Sequence, residues 1–151
     1  MSLRSGIIAG LIAGLVFMIL EMVLVATVGG GSAWGPPRMI GAIVLGREVL
    51  PPPATFDLGI FLVAMLIHFA LSAVLGVLFA MVALKMRLSN TMMIVLGVVF
   101  GLLVYLINFY GFTALFPWFA MARNWISIFV HAVFGGVLGW WLTRGHIRTI
   151  G

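Results

Sequence analysis

The sequence predicts an all-α integral membrane protein, a four-helix bundle in a single domain over residues 1–151, and three observations support this. First, 64% of the 151 residues are hydrophobic and only 7% are charged, which is far outside the range of soluble globular proteins. Second, four apolar runs each reach the roughly 20 residues that a helix needs to cross a bilayer core. They cover residues 3–28, 58–84, 91–112 and 125–142. Third, these runs do not alternate as barrel strands do, and helices are the other structure that satisfies the backbone in lipid.

Composition and motifs also argue against several classes of function. The chain has no Cys, which excludes disulfides, thiolate catalysis and Cys-ligated metals. Its net charge of +5 comes from basic residues scattered at the ends of the spans, so it does not indicate a nucleic-acid partner. No phosphate loop, dinucleotide fingerprint, zincin motif or nucleophile elbow is present, and we expect no enzyme. The first run is longer than a signal-peptide core and contains Glu21, so we interpret it as a span.

The second half of the chain repeats the pattern of the first. Two runs each carry a Gly, a second Gly four residues later and a polar residue seven positions further on. These are Gly10, Gly14 and Glu21 in the first run, and Gly97, Gly101 and Asn108 in the third. The other two runs each carry a His followed eight residues later by the Gly of a Val-Leu-Gly sequence: His68 with Gly76, and His131 with Gly139. This predicts a duplicated transmembrane hairpin, with repeat one at about 3–84, an outer insertion at about 29–56, and repeat two at about 91–144.

Small residues at four-residue spacing predict the faces on which the helices pack. Such rows let two backbones approach closely in a membrane. Glu21 lies seven residues after Gly14, so it shares a face with the first row and should point at protein. The predicted packing positions are Gly6, Gly10, Gly14, Ser72, Gly76, Gly97, Gly101, Gly135 and Gly139.

The outer insertion predicts a short helix lying at the membrane interface. Pro36 and Pro37 can begin a helix, residues 39–50 mix apolar and charged side chains, and three prolines at 51–53 end the segment. It is either a lid or docking surface, or a cap over the bundle. The two sides of the membrane carry different numbers of basic residues. Arg4, Lys85, Arg87, Arg144 and Arg148 flank one side, against Arg38, Arg47 and Arg123 on the other, which predicts both termini in the cytoplasm.

The His-then-Gly motifs at His68 to Gly76 and His131 to Gly139 give a resemblance to known proteins. The chain resembles a family of small uncharacterised four-span bacterial inner-membrane proteins that carry such a motif on helices two and four. The resemblance would cover most of the chain. It implies an address in the bacterial inner membrane and no particular activity.

Four polar side chains lie within the spans and form a predicted polar layer: Glu21, His68, Asn108 and His131. The directions of the four helices place all of them at similar depth, toward the outer side. Ionisable groups at this depth are costly and by default suggest a function. An unpaired carboxylate would be costly there, so we expect Glu21 to be protonated or hydrogen-bonded, with His68 as the first candidate partner and His131 as the second.

Four interpretations of this layer remain open. His68 and His131 could ligate a b-type haem, or the two His with Glu21 could bind a transition metal. Glu21 with a His could relay protons or hydrogen-bond a quinone. Alternatively, Glu21 pairs with one His and Asn108 with the other, and the layer only fastens helices.

Two functional hypotheses follow. The first is a non-catalytic accessory subunit of a larger, respiratory membrane complex, because the chain has more small-residue rows than a four-helix bundle must use. Its partners would be membrane lipids and other membrane subunits or a second copy. The second is a haem-binding or quinone- and proton-handling electron-transfer protein that uses the polar layer. His146 is expected to be a solvated tail residue.

Overall fold

The computed structural model describes residues 2–86 and 88–147, the last three of these by their backbone alone. Arg87, Arg148 and the side chain of His146, which entered the expectations above, lie outside the described residues. The described chain is helical and has no strand. Four of its helical segments are long and apolar enough to cross a membrane, so the predicted all-α membrane fold is confirmed at this level. The helices are α1 (Leu3–Thr27), α2 (Gly35–Leu45), α3 (Leu58–Leu84), α4 (Asn90–Leu106) and α5 (Trp125–Ile147).

Polar residues begin the long helices. The Ser2 hydroxyl accepts a hydrogen bond from the Ser5 amide, and the Asp57 carboxylate accepts one from the Ile60 amide at 2.9 Å. Ser89 does the same for α4. Each cap satisfies a backbone N–H that has no partner inside its own helix, which fixes where the apolar segment starts.

The third predicted span changes helix type before it ends. The α-helix stops at Leu106, and a π-helical turn follows at Ile107–Gly111, then short 3-10 turns at Phe112–Ala114 and Pro117–Ala122. The apolar segment as a whole still runs over Asn90–Ala114, close to the predicted 91–112. The helix of the insertion begins at its prolines as expected but ends earlier, at Leu45, and a 3-10 turn at Arg47–Val49 continues it.

The four long helices form an open arc in the order α3, α1, α5, α4. α1 packs along both α3 and α5, and α5 packs along α4, whereas α3 and α4 have few contacts. One of these contacts is the pair Phe79 and Phe100, whose ring centroids are 5.3 Å apart. It lies toward the end of the bundle where the turn at 84–90 joins the two helices. Toward the other end, where α2 lies and which we call the α2 end, α3 and α4 separate.

The glycine rows pack the helices within each hairpin. A Cβ on Gly10 would lie 2.8 Å from the backbone carbonyl carbon of Ser72, and one on Gly76 would lie 2.7 Å from the backbone of Gly10. In the other hairpin, a Cβ on Gly135 would lie 2.6 Å from the carbonyl carbon of Gly97. Real Cβ atoms do not approach backbone so closely, so these positions exclude any side chain. The glycine rows of α1, α3, α4 and α5 therefore lie where two helix backbones meet.

The two ends of the bundle differ in packing. Away from α2, a continuous apolar core fills the interior, with Phe79, Leu138 and Leu142 almost fully buried. At the α2 end, α2 packs against α3, where Gly41 lies close to Ile60 and Ala64. The helices are farther apart there, and the predicted polar layer lies in this half.

Candidate binding site

The space between the separated helices is a cavity of about 510 Å³. All four residues of the predicted polar layer line it, together with Ser72 and a large set of apolar side chains. The apolar lining comes from every long helix and from both connections at the α2 end. It includes Phe17, Met39, Leu71, Leu75, Val104, Ile107, Phe116, Phe119 and Phe134. The chain therefore forms an apolar cavity with a few polar groups on its wall, the usual character of a small-molecule site.

His131 has a hydrogen bond at each ring nitrogen. Its Nδ1 lies 2.7 Å from the backbone carbonyl of Ser127, one helical turn earlier. A carbonyl can only accept, so Nδ1 carries the proton and Nε2 is left as an acceptor. The side-chain amide nitrogen of Asn108 lies 3.5 Å from Nε2 and donates to it. Asn108 thus pairs with His131, as in the interpretation in which the layer fastens helices, and the two bonds hold His131 as a neutral ring.

Glu21 does not pair with either His. The Ser127 hydroxyl donates to its Oε1 at 3.3 Å, which joins α1 to α5. The other oxygen, Oε2, is buried and has no hydrogen-bond partner within the described residues. The expectation that His68 or His131 bonds Glu21 is therefore wrong. Ser127 was not predicted, because the residue that corresponds to it in the first half of the sequence is Ala64, which is not polar. The signal that could have indicated it was its position four residues before His131.

His68 uses one nitrogen to contact α1. Its Nε2 lies 2.8 Å from the carbonyl oxygen of Gly14, so Nε2 carries the proton and donates. Gly14 is also the position where a Cβ would lie 2.8 Å from Cβ of Ser72, so its lack of a side chain lets α3 pack closely on α1. The other nitrogen, Nδ1, is a bare acceptor with no hydrogen-bond partner in the described part of the chain. His68 thus presents an unused acceptor on the cavity wall, whereas His131 does not.

The site as built does not fit a bis-His haem. The Phe17 ring lies between the two imidazoles, with centroids 5.4 Å from His68 and 4.8 Å from His131. A macrocycle coordinated by both would have to take the place of this ring. Ligation by His131 would also break one of its two hydrogen bonds, because both of its ring nitrogens have partners. Nor does the site fit a metal, because no three His, Asp or Glu side chains come together as a possible ligand group among the described residues.

The π-helical turn places Asn108 and is held by an arginine. A π turn shifts the register of backbone hydrogen bonds and such turns are frequent at functional sites. Arg123 donates from Nε to the Phe109 carbonyl at 2.7 Å and from its terminal nitrogen to the Thr113 hydroxyl at 3.2 Å. Its guanidinium also lies over the Tyr110 ring, 4.3 Å from the centroid. Arg123 is therefore occupied in holding this connection.

Two elements roof the cavity at the α2 end. The indole N–H of Trp118 donates to the carbonyl of Met39 at 3.0 Å, which joins the Pro117–Ala122 turn to α2. On the far side of α2, Arg38 donates to the carbonyls of Val49 and Thr55 at 2.8 and 2.9 Å. The roof is thus tied across the gap between α3 and α4.

The cavity opens sideways between α3 and α4, on the surface that would face lipid. Its lining includes side chains that are more than half exposed: Leu71 at 53%, Val74 at 55% and Ile107 at 56%. All are apolar, on helices long enough to span a membrane. An apolar molecule could therefore enter from the membrane without crossing a polar barrier.

No protein family, characterised protein or solved structure that was compared matches this chain. The predicted resemblance to small four-span bacterial proteins stays a prediction. The function has to be argued from the site itself.

Proposed function

We propose that this chain is a multi-pass membrane protein that binds an amphiphilic small molecule taken up from the membrane. The observation that carries this proposal is the cavity of about 510 Å³ that opens between α3 and α4. The apolar body of the ligand would occupy the aromatic and aliphatic part, and its polar head would contact the layer formed by Glu21, His68, Asn108 and His131. Of the functions considered from sequence, this is closest to quinone handling by the polar layer.

The internal repeat supports a site of this kind. We propose that the two hairpins arose by duplication, because their glycines meet the same positions in the same register. Gly10 faces the carbonyl of Ser72, and Gly97 faces that of Gly135; each partner lies four residues after the His of its helix. If the two hairpins packed symmetrically, α4 would contact α3 as closely as α1 contacts α5. That second contact is largely missing, and the cavity occupies its place.

The hypothesis of an accessory subunit in a respiratory complex loses its main support. It rested on small-residue rows that a four-helix bundle does not need. Those rows meet each other inside the chain, so no partner helix is required to bury them. Membership of a larger complex stays a prediction, and co-purification in mild detergent would test it.

We further propose the bacterial inner membrane as the location, with both termini in the cytoplasm and α2 outside as an interfacial helix. The charge distribution supports this, since Arg4, Lys85 and Arg144 flank the end opposite α2. Because the chain has no Cys, single cysteines report cleanly. A membrane-impermeant maleimide should label Ser32→Cys in intact cells and leave Ser89→Cys unlabelled. Labelling of Ser89→Cys without Ser32→Cys would reverse the orientation.

The binding proposal is tested with an uncharged fluorescent probe, 1-aminoanthracene, added to the purified protein in mild detergent. We expect saturable binding that Leu71→Trp weakens about tenfold or more, because the indole would fill the opening. Leu66→Trp is the matched control: it lies on the same helix, is 74% exposed and does not line the cavity. Absence of saturable binding, or equal loss in both variants, would contradict the proposal.

A further inference from the structure

We infer that the ligand of this cavity has an uncharged head that carries a hydroxyl group, on an apolar body such as a prenyl chain. This rests on the proposed function and names the chemical class of the ligand. The inference comes from counting which polar atoms of the cavity wall already have partners and which do not.

The described cavity wall offers no cation to an anionic head. Arg47, at the α2 end, lies over the Trp118 ring, 5.7 Å from its centroid, and is not part of the wall. The cavity lining contains neither Lys nor Arg. The two arginines of the roof region with side-chain hydrogen bonds use them on the protein: Arg38 on Val49 and Thr55, and Arg123 on Phe109 and Thr113. A phosphate or carboxylate head would therefore place a charge in an apolar cavity beside Glu21, without a counter-ion. Burying an unpaired charge is strongly unfavourable, so phospholipids and fatty acids are poor candidates.

His68 requires a donor from the ligand. Because Nε2 donates to the Gly14 carbonyl, Nδ1 can only accept. His131 makes no such demand, since both of its nitrogens are occupied. A ketone or ester head has acceptors only and would leave Nδ1 unpaired. A hydroxyl can donate to it.

Glu21 is the second unpaired group, and it is 6% exposed. Ser127 donates to Oε1, and Oε2 has no partner among the described side chains. With no cation to pair with, the carboxyl is better accommodated as the neutral acid, which can donate from Oε2. Oε2 itself is buried and not exposed to the cavity, so Glu21 adds no demand for a donor and only disfavours a second charge beside it. Ser72 can also donate or accept, and it does not discriminate between heads. The same holds for Asn108, whose amide keeps an acceptor oxygen and a second N–H after its bond to His131.

A matched ligand series tests this, with displacement of 1-aminoanthracene as the readout. Four compounds share one farnesyl chain and differ in the head: farnesol, farnesyl methyl ether, farnesyl phosphate and farnesylamine. We expect farnesol to bind about tenfold more tightly than the methyl ether, which cannot donate and leaves a buried acceptor unpaired. The phosphate should bind more weakly than farnesol.

Two variants test whether His68 is the residue that recognises the hydroxyl of the ligand. His68→Leu should bring farnesol down to the affinity of the methyl ether and leave the methyl ether unchanged. His68→Gln keeps one donor for Gly14 and one acceptor for the ligand, so it should retain most of the preference for farnesol. If neither variant folds, the ligand series on the unaltered protein still decides the matter.

A second pair of compounds, decylhydroquinone and decylbenzoquinone, tests whether the hydroxyl belongs to a quinol or to a chain alcohol. Tighter binding of decylhydroquinone than of farnesol would indicate a membrane quinol, and the reverse order would indicate a chain alcohol. Preference for decylbenzoquinone over decylhydroquinone would overturn the inference.

The remaining outcomes distinguish a failure of the hydroxyl inference from a failure of the proposed binding function. Equal binding of farnesol and its methyl ether would overturn the hydroxyl inference and leave the apolar binding site standing. Tightest binding of farnesyl phosphate or farnesylamine would show a charged head and overturn it too. If neither the probe nor any of these compounds binds, the proposed function falls and the inference falls with it.

Discussion

If the two hairpins are repeats, as proposed, the contact between α1 and α5 and the gap between α3 and α4 occupy corresponding places, yet one is closed and the other open. On the closed side, Phe134 of α5 is 3% exposed. Its counterpart on the open side, Leu71 of α3, is 53% exposed and borders the cavity. Two related surfaces therefore differ in whether a neighbouring helix covers them.

The residues between the helices also differ in size. On α1, Ala9 and Ala13 lie beside the glycine row and are completely buried, so α5 can approach closely. The positions that correspond to them on α4 are Leu96 and Phe100. These side chains are larger, and Phe100 contacts Phe79 at the end of the bundle away from α2, so α3 and α4 meet there through rings and not through backbone. The comparison teaches that a close helix contact coincides with two alanines on α1, and that two larger residues, Leu96 and Phe100, stand at the corresponding positions on α4.

The largest effect is expected when a residue at the contact between α1 and α5 is replaced by the residue that corresponds to it on α4. Ala13→Phe places a phenyl ring where no free space exists, and we expect it to destabilise the fold by about 3 kcal/mol, the upper part of the usual range for overpacking. Unfolding by a denaturing detergent, followed by circular dichroism, measures this. Leu15→Phe, on the exposed face of the same helix, should be nearly neutral. Equal stability of Ala13→Phe and the unaltered protein would refute the size argument.

A smaller effect is expected when the hydrogen bond between Ser127 and Glu21, which joins α5 to α1, is removed. Ser127→Ala removes the donor to Glu21 but keeps the backbone carbonyl that holds His131. It leaves a buried carboxyl with no partner among the described residues, which costs about 1–3 kcal/mol. Ser72→Ala is the matched control on α3, because the Ser72 hydroxyl makes no hydrogen bond to any described group; its change should stay below about 0.5 kcal/mol.

The same bond can be checked by removing both partners. Glu21→Leu combined with Ser127→Ala should be more stable than Ser127→Ala alone, since an apolar pair leaves nothing unsatisfied. If the double variant is instead less stable by the sum of the two single effects, the hydrogen bond does not couple α1 to α5.

Much of the fold could be predicted from the sequence, because its strongest signals are local. Apolar length gives the spans, and glycines at four-residue spacing mark the faces where backbones meet. The four polar residues were placed together by the repeat, and they do line one cavity. What could not be predicted depends on helices that are distant in sequence: the Ser127 partner of Glu21, and Phe17 between the two imidazoles. The difference in size between Ala13 and Phe100 is visible when the two halves of the sequence are aligned. Its structural consequence could not be predicted without knowing which helices are neighbours.

The smallest expected effect concerns the roof of the open side. Trp118→Phe keeps an aromatic ring but loses the N–H that donates to the Met39 carbonyl, so α2 loses its hydrogen bond to the opposite connection. One such bond contributes about 0.5–1.5 kcal/mol, which should leave global stability nearly unchanged. Locally, amide hydrogen exchange across residues 35–45 should become severalfold faster, because the roof opens more often. Trp125→Phe is the control, since that exposed indole makes no hydrogen bond to the described chain. Unaltered exchange in Trp118→Phe would mean that the packing of α2 on α3, not this bond, keeps the cavity covered.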